Sequence, residues 1–241
     1  MKDAQAMTPQ GNRLHLGCGT VAPAAWINVD GSWNAWLSNH RLLRGLLRRV
    51  RIVTPKDDAI AWPSNIVVHD VRRRLPFADG SMSAVYASHL LEHLYRDEAR
   101  ALLRECRRVL APGGVLRLVV PDLESLVNEY LGRAAVGAPG EGPPFEHAAD
   151  RLVHRMLMRS PSRPAGNLAR RLYGGAKDFH SHKWMYDAAS LIALVGEAGF
   201  TDARRHDYLD SRIPAIHEVE RAEKVLNGEG ICVEGVKPPA G

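Results

Sequence analysis

Short apolar runs recur along this chain and alternate with stretches whose apolar positions fall three and four apart. The runs are Leu14–Leu16, Trp26–Val29, Ile66–Val68, Ala84–Ala87 and Val115–Val120, with two later ones at Ala203–Tyr208 and Ile231–Val236. Runs of this length between helical patterns predict βαβ units, an α/β fold built on a mostly parallel sheet of seven strands. A helix is predicted over Asp97–Leu110. Its Leu102, Leu103, Cys106, Val109 and Leu110 share one face, and Pro112-Gly113-Gly114 stops it. A second is predicted over Asp187–Gly199, opening on an aspartate cap and ending at a glycine before Phe200. Only Gly17 to Ala25 separate the first two runs. A helical crossover needs a dozen or more residues, so the helix there is expected to shrink to about one turn.

Two stretches interrupt this alternation without ending it. Residues 31–65 hold an arginine-rich helical pattern in which Leu42, Leu43, Leu46, Leu47 and Val50 make one apolar stripe. Lid or core packing is expected of the stripe; a membrane-surface or partner-binding helix is the alternative. Residues 132–176 are rich in Gly, Pro and Arg, as in Gly137-Ala138-Pro139-Gly140 and Ser160-Pro161-Ser162-Arg163-Pro164. Loops this long suggest a lid or acceptor-binding element. Residues 1–241 are therefore read as one domain with insertions at 31–65 and 132–176.

Candidate chemistry gathers at the ends of the early strands. Leu14-His15-Leu16 runs into Gly17-Cys18-Gly19-Thr20, and the second strand ends on Asp30. Glycines let a backbone approach a ligand closely, and a carboxylate accepts hydrogen bonds from ribose hydroxyls, so this layout suits a nucleoside. A tight turn that binds nothing, with Asp30 as its cap, is the alternative. The third run closes on His69-Asp70 and the fourth leads into Ser88-His89-Leu90-Leu91-Glu92-His93.

Four motifs then follow in order: Leu16-Gly17-Cys18-Gly19, Leu75-Pro76-Phe77-Ala78-Asp79-Gly80-Ser81, Leu91-Glu92-His93 and Arg108-Val109-Leu110-Ala111-Pro112-Gly113-Gly114. Together they resemble the class I S-adenosylmethionine-dependent methyltransferases, and most closely a small bacterial group. The resemblance covers roughly residues 13 to 122 well and 177 to 237 more loosely. It implies a Rossmann-like sheet of seven strands, with helices on both faces and a C-terminal antiparallel hairpin. It also implies S-adenosylmethionine as cofactor, bound through Gly17, Gly19, Asp30 and Asp70, with the Val71 amide beside the adenine. Two positions depart from the family pattern. His15 stands where an acid is usual, and Val21 stands where a third glycine would be.

A hydroxyl acceptor benefits from a general base, and His89, ending the fourth strand, is the candidate. Glu92 and His93 follow it, and His93 is expected to pack or cap. His180, His182 and Tyr186, in Lys177-Asp178-Phe179-His180-Ser181-His182-Lys183-Trp184-Met185-Tyr186, are expected to line the acceptor pocket. His180-Ser181-His182 offers no third metal ligand by spacing, so no metal is expected.

Composition narrows the partners. The net charge is +5, and arginines cluster at 41–51 and 72–74, but aromatics are only 6% and none interleaves with those clusters. Nucleic acid is therefore not an expected partner. No apolar run approaches a transmembrane length, and Cys18, Cys106 and Cys232 form no C-x-x-C pair, so a reducing cytoplasm is expected. The leading reading is a methyltransferase acting on a hydroxyl of a small-molecule or glycan acceptor. One rival is a non-catalytic cofactor-binding or interaction module working through the basic helix near 41–51. The other, a nicotinamide-dependent oxidoreductase, suffers because Asp30 comes only 11 residues after Gly19 instead of about 20.

Overall fold

The computed structural model describes residues 12–38, 40–49, 61–132, 147–156 and 181–239. Seven strands form one sheet: β1 (Asn12–Leu16), β2 (Ile27–Asp30), β3 (Ile66–Val68), β4 (Met82–Ser88), β5 (Leu110–Pro121), β6 (Thr201–His206) and β7 (Gly230–Val236). Their order is β3-β2-β1-β4-β5-β7-β6. The first five are parallel, and β7 runs antiparallel to both β5 and β6. The strand order reverses between β1 and β4, which places a ligand crevice beyond the carboxyl ends of these strands.

Burial explains the strand sequences. β4 is covered on both faces and reads as the continuous run Ala84-Val85-Tyr86-Ala87. β6, at the sheet edge, reads Thr-Asp-Ala-Arg-Arg-His, and such charge discourages pairing with another chain.

The helices are α1 (Trp33–Ser38), α2 (Arg41–Arg49), α3 (Arg96–Val109), α4 (Leu123–Tyr130), α5 (Ala148–Met156) and α6 (Ala188–Glu197). α3 buries Ala99, Leu102, Leu103, Cys106 and Val109, the face its spacing predicts. Asp97 and Glu98 in its first turn, and Arg107 and Arg108 in its last, complement the helix dipole. α6 starts after Asp187, whose carboxylate accepts from the Ser190 amide at 2.7 Å.

Two core layers flank the sheet. One joins Leu14, Leu16, Val85, Leu116 and Leu118 to the buried faces of α3 and α6. The other gathers Trp26, Tyr86, Val115 and Val119 under Ile213, Ile216, Val219 and Val225, from the connection between β6 and β7.

Two expectations change. Residues 17–26 hold turns and no helix, so the first crossover is tighter than the single turn its length suggested. The apolar stripe of α2 is not core: Leu42 is 93% and Leu46 59% exposed, while Leu43 and Leu47 are half-buried. Val50 and Arg51 lie outside the described residues, as do 133–146 and 157–176 of the second insertion.

Candidate functional site

Gly17 and Gly19 both adopt left-handed backbone, at φ 63° and 54°. An L side chain rarely takes that conformation, so the turn after β1 requires glycine at both positions. Asp30 holds the turn against β2. One carboxylate oxygen accepts from the Gly19 amide at 2.9 Å and the other from the Ser32 amide at 2.8 Å. Each oxygen keeps a further acceptor site. A Cβ placed on Gly19 would meet nothing within 4 Å, so open space lies over the turn beside a carboxylate with acceptor capacity left. These residues fit a nucleoside cofactor lying against the backbone with its ribose toward Asp30.

His15, where an acid is usual, does not reach this space. It is 3% exposed and packs its ring 5.3 Å from Tyr86 and 6.2 Å from Trp26, on the sheet face under the β6–β7 connection. Burial pushes its pKa down to about 4. It is a core histidine.

Asp70 sits past β3 and is already engaged. Arg72 donates to it from Nε at 2.9 Å, from Nη2 at 2.8 Å and from its backbone amide at 3.0 Å. These bonds hold the Asp70 carboxyl below the usual range. Val71 turns its side chain into the core. An adenine amino group would have to share Asp70 with Arg72.

Two of the four motifs prove structural. Arg108 donates to Asp79 at 2.6 Å, to the Leu75 and Phe77 carbonyls at 2.9 and 2.8 Å, and to Glu105 at 2.8 and 2.9 Å. The Leu75 amide in turn donates to Glu105. The Leu75–Ser81 segment is thereby clasped to the end of α3, directly before β4 begins.

The third motif behaves differently. His89 leaves β4 in left-handed backbone, φ 50°, and turns the chain into a 3-10 helix over Leu91–His93. The His89 Nε2 faces the Lys224 carbonyl at 3.2 Å, and Nδ1 lies 3.3 Å from Oε1 of Glu92, out of line for a hydrogen bond. Glu92 is fully buried, and neither of its carboxylate oxygens has a hydrogen-bond partner. Burial pushes the Glu92 carboxyl up, but the rings of His89 and His93 outweigh it and hold it below the usual range.

The Glu92 backbone carbonyl accepts from the amides of Lys183 and Trp184, at 2.7 and 3.2 Å. That pins the segment after residue 180 against the 3-10 turn and brings His182 to His93, with ring centroids 4.9 Å apart. Burial lowers the pKa of His182, against the pull of Glu92. Glu92, His93 and His182 each bring a ligand-capable atom within 4.8 Å of the others.

Tyr186, expected beside them, instead joins the core at 2% exposure. Its hydroxyl is buried without a hydrogen-bond partner, and burial raises its pKa to about 12. His180 lies outside the described residues. The residue that sequence reasoning passed over is Glu92. Its signal was an acid and a histidine adjacent on one short turn beyond a strand end.

The family model described as a methyltransferase domain matches residues 14–118. That span takes in β1 to β4, α3 and most of β5, and it carries the glycine turn, Asp30 and the Glu92 turn. An uncharacterised 37.1 kDa protein in transposon TN4556 of Streptomyces fradiae is 31% identical over 136 residues, covering 54% of this chain. The chain spans only 36% of that protein's length. Among solved structures, a possible histamine N-methyltransferase from Thermotoga maritima is 17% identical, with a TM-score of 0.49 and coverage of 95% of this chain and 83% of its own. An S-adenosylmethionine-dependent methyltransferase from Archaeoglobus fulgidus is 15% identical, with a TM-score of 0.44 and coverage of 96% and 88%.

Proposed function

We propose that this chain, whose residues 14–118 match a methyltransferase-domain family model, is a class I S-adenosylmethionine-dependent methyltransferase that transfers the methyl group to a hydroxyl of a small-molecule or glycan acceptor. All seven strands among the described residues share one sheet, which supports residues 1–241 working as one domain. The observation that carries the reading is the pairing of two features at the carboxyl edge of that sheet. Beyond β1 and β2 lies the open turn of Gly17 and Gly19 with Asp30 against it. Beyond β4 lies the polar cluster of His89, Glu92, His93 and His182.

The bound cofactor supplies a sulfonium methyl group, and the protein's task is alignment and exclusion of water. Gly17 and Gly19 keep side chains out of the cofactor's path. Asp30 anchors the ribose and, through the Gly19 amide, fixes the turn that carries it. Asp70 accepts from the adenine amino group while sharing its charge with Arg72, and the Val71 amide lies beside it.

His89 is the candidate base for the acceptor hydroxyl. With Nε2 donating to the Lys224 carbonyl, the lone pair of the neutral ring falls on Nδ1, which faces Glu92; taking the acceptor's proton at Nε2 requires that nitrogen to give up the Lys224 carbonyl. His182 lines the acceptor side, with Tyr186 packed into the core beside it; an acceptor role for His180 rests on its sequence position alone.

Thermal unfolding with S-adenosylmethionine, its demethylated product and NAD tests the cofactor site. A ligand at about 100 times its Kd adds roughly 2.7 kcal/mol. For this size of domain that raises the midpoint by about 5–10 °C. The rise is expected with the two methionine cofactors, not with NAD, and should vanish in Asp30→Ala. An equal rise in that variant would remove Asp30 from the site.

A further inference from the structure

Burial without partners is what sets Glu92 apart. A fully buried carboxylate ordinarily accepts several hydrogen bonds, because desolvating an unpaired charge costs several kcal/mol. Glu92 accepts none at either oxygen. The groups around it are themselves arranged as ligands. His93 presents Nδ1 to the Ser181 carbonyl at 3.3 Å. When Nδ1 donates there, the lone pair falls on Nε2, the usual arrangement of a metal-bound imidazole. The Nδ1 of His182 is buried with no hydrogen-bond partner. One carboxylate and two imidazoles, from a 3-10 turn and from a segment about 90 residues later in the sequence, thus each bring a ligand-capable atom within 4.8 Å of the others.

We propose that Glu92, His93 and His182 bind a divalent transition-metal cation, with His89 positioning the Glu92 carboxylate. Two imidazoles and one carboxylate suit Zn²⁺, Co²⁺ or Mn²⁺ better than the all-oxygen shells of Ca²⁺ or Mg²⁺. The histidine pair expected from sequence was His180 with His182. The structure joins His182 to the Leu91-Glu92-His93 turn, which supplies the third ligand that spacing could not. Three protein ligands leave a coordination position open, as in catalytic sites. On the methyltransferase reading, and only on it, that position would take the acceptor oxygen, because the turn follows β4 at the crevice edge.

The test uses the full chain stripped by a chelator and titrated with Zn²⁺, Mn²⁺ and Co²⁺. Cation content comes from elemental analysis, and the visible absorption of Co²⁺ reports the ligand set. One equivalent is expected, with a tetrahedral or five-coordinate Co²⁺ spectrum. Glu92→Gln and His182→Gln should each weaken binding by more than about 100-fold, and His89→Ala by about 10–100-fold with the same spectrum. His217→Ala, at an exposed histidine, should change nothing. Cation uptake by the stripped parent protein decides the matter even where a variant fails to fold. Failure to take up any of the three cations, or equal uptake by Glu92→Gln, overturns the site. A methionine-cofactor stability shift measured on the same stripped protein keeps the two readings separate. Its loss with cation binding intact would sink the methyltransferase reading alone.

Discussion

Two fully buried carboxylate sites among the described residues are built in opposite ways. On one sheet face, Arg117 is enclosed by Glu220 and Glu234, and all three are completely buried. Arg117 donates to Glu220 at 2.7 and 2.9 Å, to Glu234 at 3.0 Å, and to the Asp207 and Asp210 carbonyls at 2.9 and 2.7 Å. Glu220 also accepts from the Leu209 amide at 2.7 Å, and Glu234 from the Arg212 amide and the Ser211 hydroxyl. Every carboxylate oxygen accepts at least one hydrogen bond, and the network ties the β6–β7 connection down over Trp26 and Tyr86. At the carboxyl edge, the Glu92 carboxylate has neighbouring histidines but accepts no hydrogen bond. A satisfied network holds a fold together; an unsatisfied one at a crevice leaves room for something to bind.

The contrast breaks most visibly under mutation. Glu220→Ala removes two charge-assisted bonds from the buried Arg117 and the acceptor of the Leu209 amide, and should cost about 3–5 kcal/mol in urea unfolding. Glu92→Gln, measured on cation-free protein, should cost far less than that, since relief of burying the carboxylate offsets the lost attraction of His89 and His93. Equal costs at the two sites would make Glu92 another structural member and end the distinction.

A smaller effect sharpens the same point on the network's own face. His15 titrates near 4 when folded against 6.5 when unfolded. The unfolded chain binds the proton first, so its contribution is complete above pH 6.5 and is lost as pH falls through 4. That amounts to roughly 3 kcal/mol across the window. Replacing His15 with Gln should flatten this part of the stability–pH curve; an unchanged slope would assign it to other groups.

Asp70 gives the smallest expected change. Asp70→Asn weakens a partly exposed pair with Arg72 and should alter stability by under about 1 kcal/mol. If the carboxylate also holds the adenine, S-adenosylmethionine affinity falls by about tenfold, roughly 1.4 kcal/mol. Unaltered affinity would leave Asp70 as a clamp for Arg72 only.

Much of the scaffold was legible because it is local. Apolar runs, the aspartate before α6 and the α3 stripe are set by neighbours within a few residues, and the structure reproduces them within about two residues at each end, save for the longer β5. The glycine turn and Asp30 were legible for the same reason. Positive backbone angles and a strand-end acid leave a mark in the sequence itself.

Other features depended on partners far away. No spacing rule reveals that Arg117 meets residues about a hundred positions later, or that Arg108 spends its donors on the Leu75–Ser81 segment. The exposure of Leu42 and Leu46 likewise depends on what the fold leaves uncovered.

By itself the sequence determined the sheet, its topology class and the glycine turn after β1, since periodicity and special backbone angles are properties of short segments. Only the tertiary structure decided that His15 is core, that Asp70 is clamped by Arg72, and that His182 belongs with Glu92 and His93. The physical reason is the pairing of the Glu92 carbonyl with the amides of Lys183 and Trp184, a backbone contact that no side-chain pattern announces.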